Sequence, residues 1–286
     1  MINNISESFP LSINLKGNLF SLKKPLVMGV LNFTQDSFYK GSRFTSLKDF
    51  EKALYKMVET GADVIDIGVA SSRPGAKLID ANDEIEVLIP LLKTVVKEFP
   101  AVPFSIDTYH SKTAKAAVQE GATIVNDISA GMLDQDMYTI VASLNVPYVM
   151  MHMQGIPENM QDAPNYNHVV KETIDFFVDR VGKAKQAGIK DIIIDPGFGF
   201  GKRLEDNYHL LQQLNLFKIF NLPILVGLSR KSIINKVLKT NADQALNGTT
   251  VLNTIALLNG ANLLRVHDVL EAKQTIELVQ FYYSVR

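Results

Sequence analysis

The chain has 286 residues, 47% hydrophobic and 21% charged, a length and composition suited to a soluble globular enzyme with a sizeable core. Its net charge of −1 gives no general attraction to nucleic acid or an anionic membrane, so an anionic ligand needs a local cluster of donors. The absence of cysteine excludes disulfides, thiolate metal sites and cysteine nucleophiles. No apolar run reaches the length of a membrane span and the opening MINNISESFP lacks the regions of a secretory leader, so a cytoplasmic location is expected.

In chain order, INLKGNLFSL (13–22) reads as a short hairpin, and apolar runs follow, each trailed by an amphipathic stretch, at a period of roughly 30 to 40 residues. The runs are LVMGVLN (26–32), VIDIG (64–68), FSID (104–107), TIVND (123–127), YVMMH (148–152), IIID (192–195), ILVGLS (224–229) and LLRVH (263–267). This rhythm predicts eight βα units in one domain over 1–286, an α/β fold of the (β/α)8 TIM-barrel type with the amino-terminal hairpin capping its bottom. A doubly wound open sheet is the competing architecture.

Almost every run ends in a polar group: Asn32, Asp66, Asp107, Asn126 with Asp127, His152, Asp195, Ser229 with Arg230 and Lys231, then Arg265 and His267. One such group alone reads as a helix cap or half of a buried pair. A whole ring converging on the carboxyl-end face of a barrel reads as a site. Asp107, Asn126 and Asp195, with Lys231 opposite, offer acceptors, donors and a cation suited to a flat heterocycle rich in N–H and carbonyl groups. Asn32, Arg265 and His267 fall on the first and last strands, which become neighbours on closure. They would form an anion pocket there, where Arg265 offers a planar fork and the Asn32 carbonyl can bind a hard metal. His267 could instead cap or pair within RVHD, and Lys231 could be a Schiff-base lysine. His152 suits structural support as well as catalysis, and His110, His168 and His209 read as surface residues.

The run IIIDPGFGFGK (192–202) stops a strand on a carboxylate and then places glycine at every second position. It fits neither G-x-G-x-x-G nor the P-loop pattern. Gly197, Gly199 and Gly201 permit unusual dihedrals and close approach of a ligand to the backbone. Neither a Ser/His/Asp arrangement nor an H-E-x-x-H motif is found.

The segments MGVLNFTQDSF, DIGVASSRPGA, SIDT, NDISAG, MHMQG, IIDPGFGFGK, GLSRKS and RVHDV, in this order, make residues 25 to about 280 resemble the dihydropteroate synthases. The resemblance implies attack of the amine of p-aminobenzoate on the methylene of 6-hydroxymethyl-7,8-dihydropterin pyrophosphate, with Mg2+, to give 7,8-dihydropteroate and pyrophosphate. Carried over by motif, Asp107, Asn126, Asp195 and Lys231 hold the pterin, with Gly227 of GLSRKS beside it. Asn32, Arg73, Arg265 and His267 grip the pyrophosphate, and Asn32 the metal. Ser72, Arg73 and Pro74 belong to a loop that closes over the site. Phe200, Lys231 and Ser232 bound the p-aminobenzoate pocket, while Lys202 is expected to matter much less. The family also implies a homodimer through the later helices and sulfonamides as competitive inhibitors, while the near-zero net charge leads to the expectation of neither nucleic acid nor membrane as partner.

The chain departs from the family's usual loops. Phe33, Gln35 and Lys40 stand where N-V-T-P-D-S-F-x-D-G-G is common, and Val69, Ala70 and Ser72 where G-G-E-S-T-R-P-G is common. An acid in place of Lys40 could help stabilise a pterin cation, and a lysine cannot. The connections 33–46 and 68–81 are long and rich in Ser, Gly, Lys and Arg, which marks them as mobile lids. Two other functions fit the same central carboxylates: a pterin-dependent methyltransferase of the methyltetrahydrofolate and corrinoid type, and a catalytically inactive pterin-binding protein.

Overall fold

The computed structural model describes residues 11–15, 17–33, 47–69 and 78–285. Gln35, Lys40, Ala70, Ser72, Arg73 and Pro74, and most of both long connections, lie outside the described residues. The hairpin forms as predicted, with β1 (Ser12–Leu15) antiparallel to β2 (Asn18–Ser21).

Eight parallel strands follow: β3 (Leu26–Asn32), β4 (Val64–Gly68), β5 (Phe104–Asp107), β6 (Ile124–Asp127), β7 (Tyr148–Met151), β8 (Ile192–Asp195), β9 (Leu225–Val226) and β10 (Leu263–Val266). They pair in the order β8-β7-β6-β5-β4-β3-β10-β9. A parallel bridge between Ile194 and Ile224, with the Ile194 amide donating to the Pro223 carbonyl at 3.0 Å, joins the two ends. That ring order, with β3 between β4 and β10, is a barrel and rules out the doubly wound sheet. The helices are α1 (Leu47–Glu59), α2 (Ala81–Glu98), α3 (Ser111–Gln119), α4 (Met137–Leu144), α5 (Val169–Gln186), α6 (Leu204–Gln212), α7 (Ser232–Leu238), α8 (Leu246–Leu258) and α9 (Val269–Ser284).

Strand alternation sorts the side chains. Met28, Val64, Ile124, Val149, Ile193, Leu225 and Leu263 form one buried cluster with Ile13, Leu15 and Leu22 of the hairpin, which therefore plugs the amino-terminal end. Their neighbours Val27, Ile65, Phe104, Val125, Tyr148, Ile192, Val226 and Leu264 pack with residues of the helical layer. Among the described residues the bottom is filled, and the interior opens toward the strand ends. The substituted residues Phe33 and Val69 support this frame: Phe33 meets Phe50 of α1 edge-on at 6.0 Å, and both pack against the cluster beneath α1 and α2.

The seventh strand is shorter than the run 224–229 predicts. After Val226 the chain passes through Gly227 into a tight turn, in which Arg230 takes φ +55° and its amide donates to Thr249 Oγ1 at 3.0 Å. A left-handed arginine cannot continue a ladder, so Leu228 and Ser229 already belong to the strand-to-helix connection.

Candidate active site

At the mouth of the barrel the Arg265 guanidinium bridges two carboxylates. Nε donates to Asp66 Oδ2 and Nη2 to Asp107 Oδ2, each at 2.7 Å. Asn126 Nδ2 donates to the same Asp66 oxygen at 3.0 Å. Asp66 is thus the hub that fixes both Arg265 and Asn126, a role the sequence reading did not assign. A signal was present: an acid between two isoleucines of a fully buried strand is affordable only when paired. Because one cation serves two buried carboxylates, negative charge is in surplus. Burial, opposed by Arg265, pushes the Asp107 carboxyl up to about 7.

Asn126 and Asp127 are adjacent on β6 and face opposite ways. Asp127 accepts from Ser129 N and Oγ and from Gly131 N at 2.7 Å, and from Tyr148 Oη at 2.6 Å. It anchors the NDISAG turn in the outer layer, whereas Asn126 serves the mouth.

Asp195 ends β8 and accepts the Gly197 amide at 2.7 Å through Oδ1. Burial raises its pKa, and the facing Lys231 ammonium opposes the shift. Lys231 donates to the Phe198 carbonyl at 2.5 Å and stands 4.7 Å from the centroid of the Phe200 ring, a cation–π distance. Burial pulls its pKa down to about 8 while Asp195 holds it up. Phe200 packs with Tyr109, Ile128, Met151, Met153 and Met160, an apolar wall beside the charged centre. Gly227 lies beside the Lys231 ammonium and the root of the Arg265 side chain: a Cβ there would stand 3.7 Å from Lys231 Nζ and 3.9 Å from Arg265 Cβ. Ser232 opens α7 immediately after Lys231.

Two of the three alternate glycines have a different reason from the one expected, while at the third, Gly199, a Cβ would stand 3.3 Å from Lys231 Cδ. Gly197 and Gly201 have φ of +71° and +56°, and a Cβ on them would stand 1.9 Å from the His152 carbonyl oxygen and 2.3 Å from that of Gln154. They let the turn lie against the backbone following β7, so the close approach is between two loops of the protein. Lys202 is buried beneath the turn, with three carbonyl partners.

On the other side of the mouth His267 pairs with Ser229. The Ser229 hydroxyl accepts the His267 amide at 3.2 Å and lies 2.9 Å from Nδ1. Donation of the serine proton to Nδ1 satisfies both groups and places the imidazole proton on Nε2. Burial and the neighbouring Arg265 lower the His267 pKa to about 4, so the ring is neutral and can donate to an anion from Nε2. In RVHD the pairing residue is Asp268, which takes Arg230 Nε and Nη2 at 2.8 Å each. Arg230 also donates to the carbonyls of Ala242 and Asp243, so it bolts the Ser229–Lys231 turn to the end of β10.

Asn32 closes β3 opposite Gly68, and Gly68 is opposite Asp107. A Cβ at Gly68 would stand 3.0 Å from Asn32 Oδ1 and 3.3 Å from Asp107 Cβ, so glycine lets the two flank each other. Among the described residues no group of three or more His, Asp and Glu could cage a metal. A single amide oxygen fits a Mg2+ ion that keeps its waters and takes its remaining ligands from a phosphate.

His152 supports the loops: its amide donates to the Asp195 carbonyl, its ring meets Phe176, and burial holds its pKa well below the ordinary value. His168 and His209 are exposed, as expected. His110 is half-buried rather than fully exposed, with Nε2 2.8 Å from the Ile79 carbonyl. The groove between α5 and α6 contains none of the strand-end residues, and two of its cations are neutralised locally, Arg203 by Asp206 and Lys171 by Asp175.

Comparison with known proteins agrees with this geometry. Residues 28–267 match the family model described as pterin binding enzyme. The dihydropteroate synthase of Escherichia coli K12 is 38% identical over 273 residues, covering 95% of this chain and 96% of that protein. The crystal structure of Yersinia pestis dihydropteroate synthase with a sulfonamide drug superposes with a TM-score of 0.92 at 34% identity, covering 96% of this chain and 100% of the other. The Xanthomonas albilineans dihydropteroate synthase with 4-aminobenzoic acid gives 0.88 at 36% identity, over 97% and 100%.

Proposed function

Because the chain belongs to the pterin-binding enzyme family, among the dihydropteroate synthases, we infer that its strand-end ring performs the condensation of that family through the residues named here. The reaction joins 6-hydroxymethyl-7,8-dihydropterin pyrophosphate to p-aminobenzoate and releases pyrophosphate. The observation that carries the assignment of roles is the convergence of Asp107, Asn126, Asp195, Lys231 and Arg265 on one mouth.

Asp107, Asn126 and Asp195 offer the pterin edge two acceptors and an amide, with Lys231 facing its carbonyl side. His267 donates from a neutral ring to the pyrophosphate, and Arg265, already oriented by Asp66, adds charge at its border. Mg2+ held at Asn32 would neutralise the leaving group, and Arg73 is proposed to share that task. Carbon–oxygen cleavage then leaves a methylene cation that the electron-rich pterin delocalises, and the aromatic amine attacks it. That amine is neutral and already nucleophilic at physiological pH, so no strong general base is required: positioning against Phe200, Lys231 and Ser232 carries much of the rate, and the nitrogen made cationic by the new bond loses its proton to solvent. Ser72 and Pro74 are proposed to complete the pocket and sulfonamides to compete for it, a reading supported by the Yersinia enzyme's complex with a sulfonamide drug.

A homodimer is proposed through α8 and α9. These helices pack on each other yet still expose Val251, Ile255, Leu258, Leu278 and Phe281, apolar surface that a monomer leaves wet. Among the described residues no helix is long and apolar enough to cross a membrane. The cytoplasm is the proposed location, where a substrate bearing pyrophosphate is retained.

The deciding assay is pyrophosphate release: the reading requires dihydropteroate and pyrophosphate in equal amounts only when both substrates are present. Methyl transfer, or pterin binding with no release, would overturn it. A pH dependence is also expected. With its pKa near 7, Asp107 is ionised, and fully able to accept the pterin N–H, only above that value. Accordingly kcat/KM for the pterin substrate should rise through about pH 7, and Asp107→Asn should flatten the profile. Stability runs the other way. The folded state holds the Asp107 proton that the unfolded state loses near 4, so this group's contribution declines as pH rises from about 4 to about 7.

A further inference from the structure

Lys202 has no part in the reaction above, yet its surroundings are specific. It is 3% exposed, and Nζ donates to the carbonyl oxygens of Gly197 at 2.8 Å, Phe200 at 3.0 Å and His152 at 3.1 Å. Three carbonyl oxygens converging on one nitrogen form the kind of shell that holds a bound cation. Two belong to the glycine-rich turn and the third to the connection after β7, against which Gly197 and Gly201 press. The intervening Phe198 carbonyl accepts from Lys231 instead. The turn's carbonyls are therefore divided between two ammonium groups, Lys202 inside the protein and Lys231 at the mouth.

We propose that Lys202 is a positioning residue for p-aminobenzoate, an internal cation whose carbonyl shell sets the shape of the turn and so places Phe200 and the Phe198 anchor of Lys231. The proposal rests on the reading of the site as a dihydropteroate synthase. Without the ammonium, the three buried carbonyl oxygens lose their shared donor, Gly197 keeping only the Phe200 amide at 3.2 Å, and the turn relaxes to hydrate them. Burial lowers the Lys202 pKa to about 7 and Asp195 opposes the shift. Asp195 keeps its own bond to the Gly197 amide, so the pterin edge should suffer less than the Phe200 side.

In Lys202→Ala, KM for p-aminobenzoate should rise at least about tenfold while KM for the pterin substrate changes by less than about threefold. Ammonium or methylammonium, small N–H donors able to enter the vacated shell, should restore part of the loss. Tetramethylammonium at equal ionic strength should not. Lys202→Met, which fills the channel without a cation, should show the same split in KM but no rescue. An unchanged KM for p-aminobenzoate, or equal rescue by tetramethylammonium, overturns the proposal. Equal losses for both substrates that track a lower melting temperature also overturn it, leaving Lys202 a structural residue only. Should neither variant fold, the unaltered enzyme decides: in 15N-lysine NMR below neutral pH the Lys202 ammonium protons should exchange slowly, and fast exchange rejects the shell. The unaltered enzyme is assayed first for pyrophosphate release, so failure of the functional reading is seen separately from failure of the cage.

Discussion

Arg265→Ala is expected to lower kcat/KM by at least about a thousandfold and to destabilise the fold by about 3–5 kcal/mol, the range for removing one partner of a buried ion pair. The reason is local. Arg265 is the cation to which both Asp66 and Asp107 are hydrogen-bonded at 2.7 Å, and Asp66 is wholly buried. Its removal leaves two carboxylates facing each other in the barrel. Without the guanidinium the Asp107 pKa moves further above 7, the folded state holds a proton the unfolded state does not, and stability falls as pH rises. Urea titration should therefore find the variant weakest at alkaline pH and partly recovered in mild acid. Adding Asp107→Asn should return stability without activity. A variant as stable as the parent at pH 8 would mean that the bridge contributes nothing to the barrel.

Asp195→Asn should cost at least about a hundredfold in kcat/KM for the pterin substrate with the melting temperature nearly unchanged. Asparagine retains a carbonyl oxygen for the Gly197 amide, so the turn keeps its anchor. What disappears is the charge that accepts from the heterocycle and supports Lys231. Deprived of that carboxylate, Lys231 should titrate below its present value of about 8, and the alkaline limb of the rate profile should move to lower pH. Near-normal turnover together with an unchanged melting temperature would show that the pterin edge is bound elsewhere.

Much of this was legible from one dimension because the barrel repeats a simple rule. Buried parallel strands need continuous apolar runs, and a polar group at the end of such a run has a single face on which to gather. VIDIG, FSID and IIID coincide with β4, β5 and β8, and Asp107, Asn126, Asp195, Lys231 and Arg265 lie at one mouth. The hairpin could be placed at the bottom because the first strand follows it directly. The glycine-rich turn was legible as unusual but not in its cause, since no spacing says whether a glycine makes room for a ligand or for another loop.

By itself, then, the sequence determined the βα rhythm, the face on which chemistry collects and the residue types that meet there. All three follow from local periodicity and strand-end position. Tertiary structure alone decided who pairs with whom. Asp66 and Arg265 are separated by 199 positions in the chain and meet only because closure brings β10 beside β3, with β4 next in the ring. Asn126 and Asp127 differ by one position yet serve opposite faces. Arg230, one of the polar strand-end residues beside Lys231, is bound to Asp268 in the connection wall, while Lys202, one residue past the last glycine of its turn, is drawn beneath it by three carbonyls. Charge partners in a low-dielectric interior are set by distances of a few ångströms, and those distances exist only once the barrel has closed.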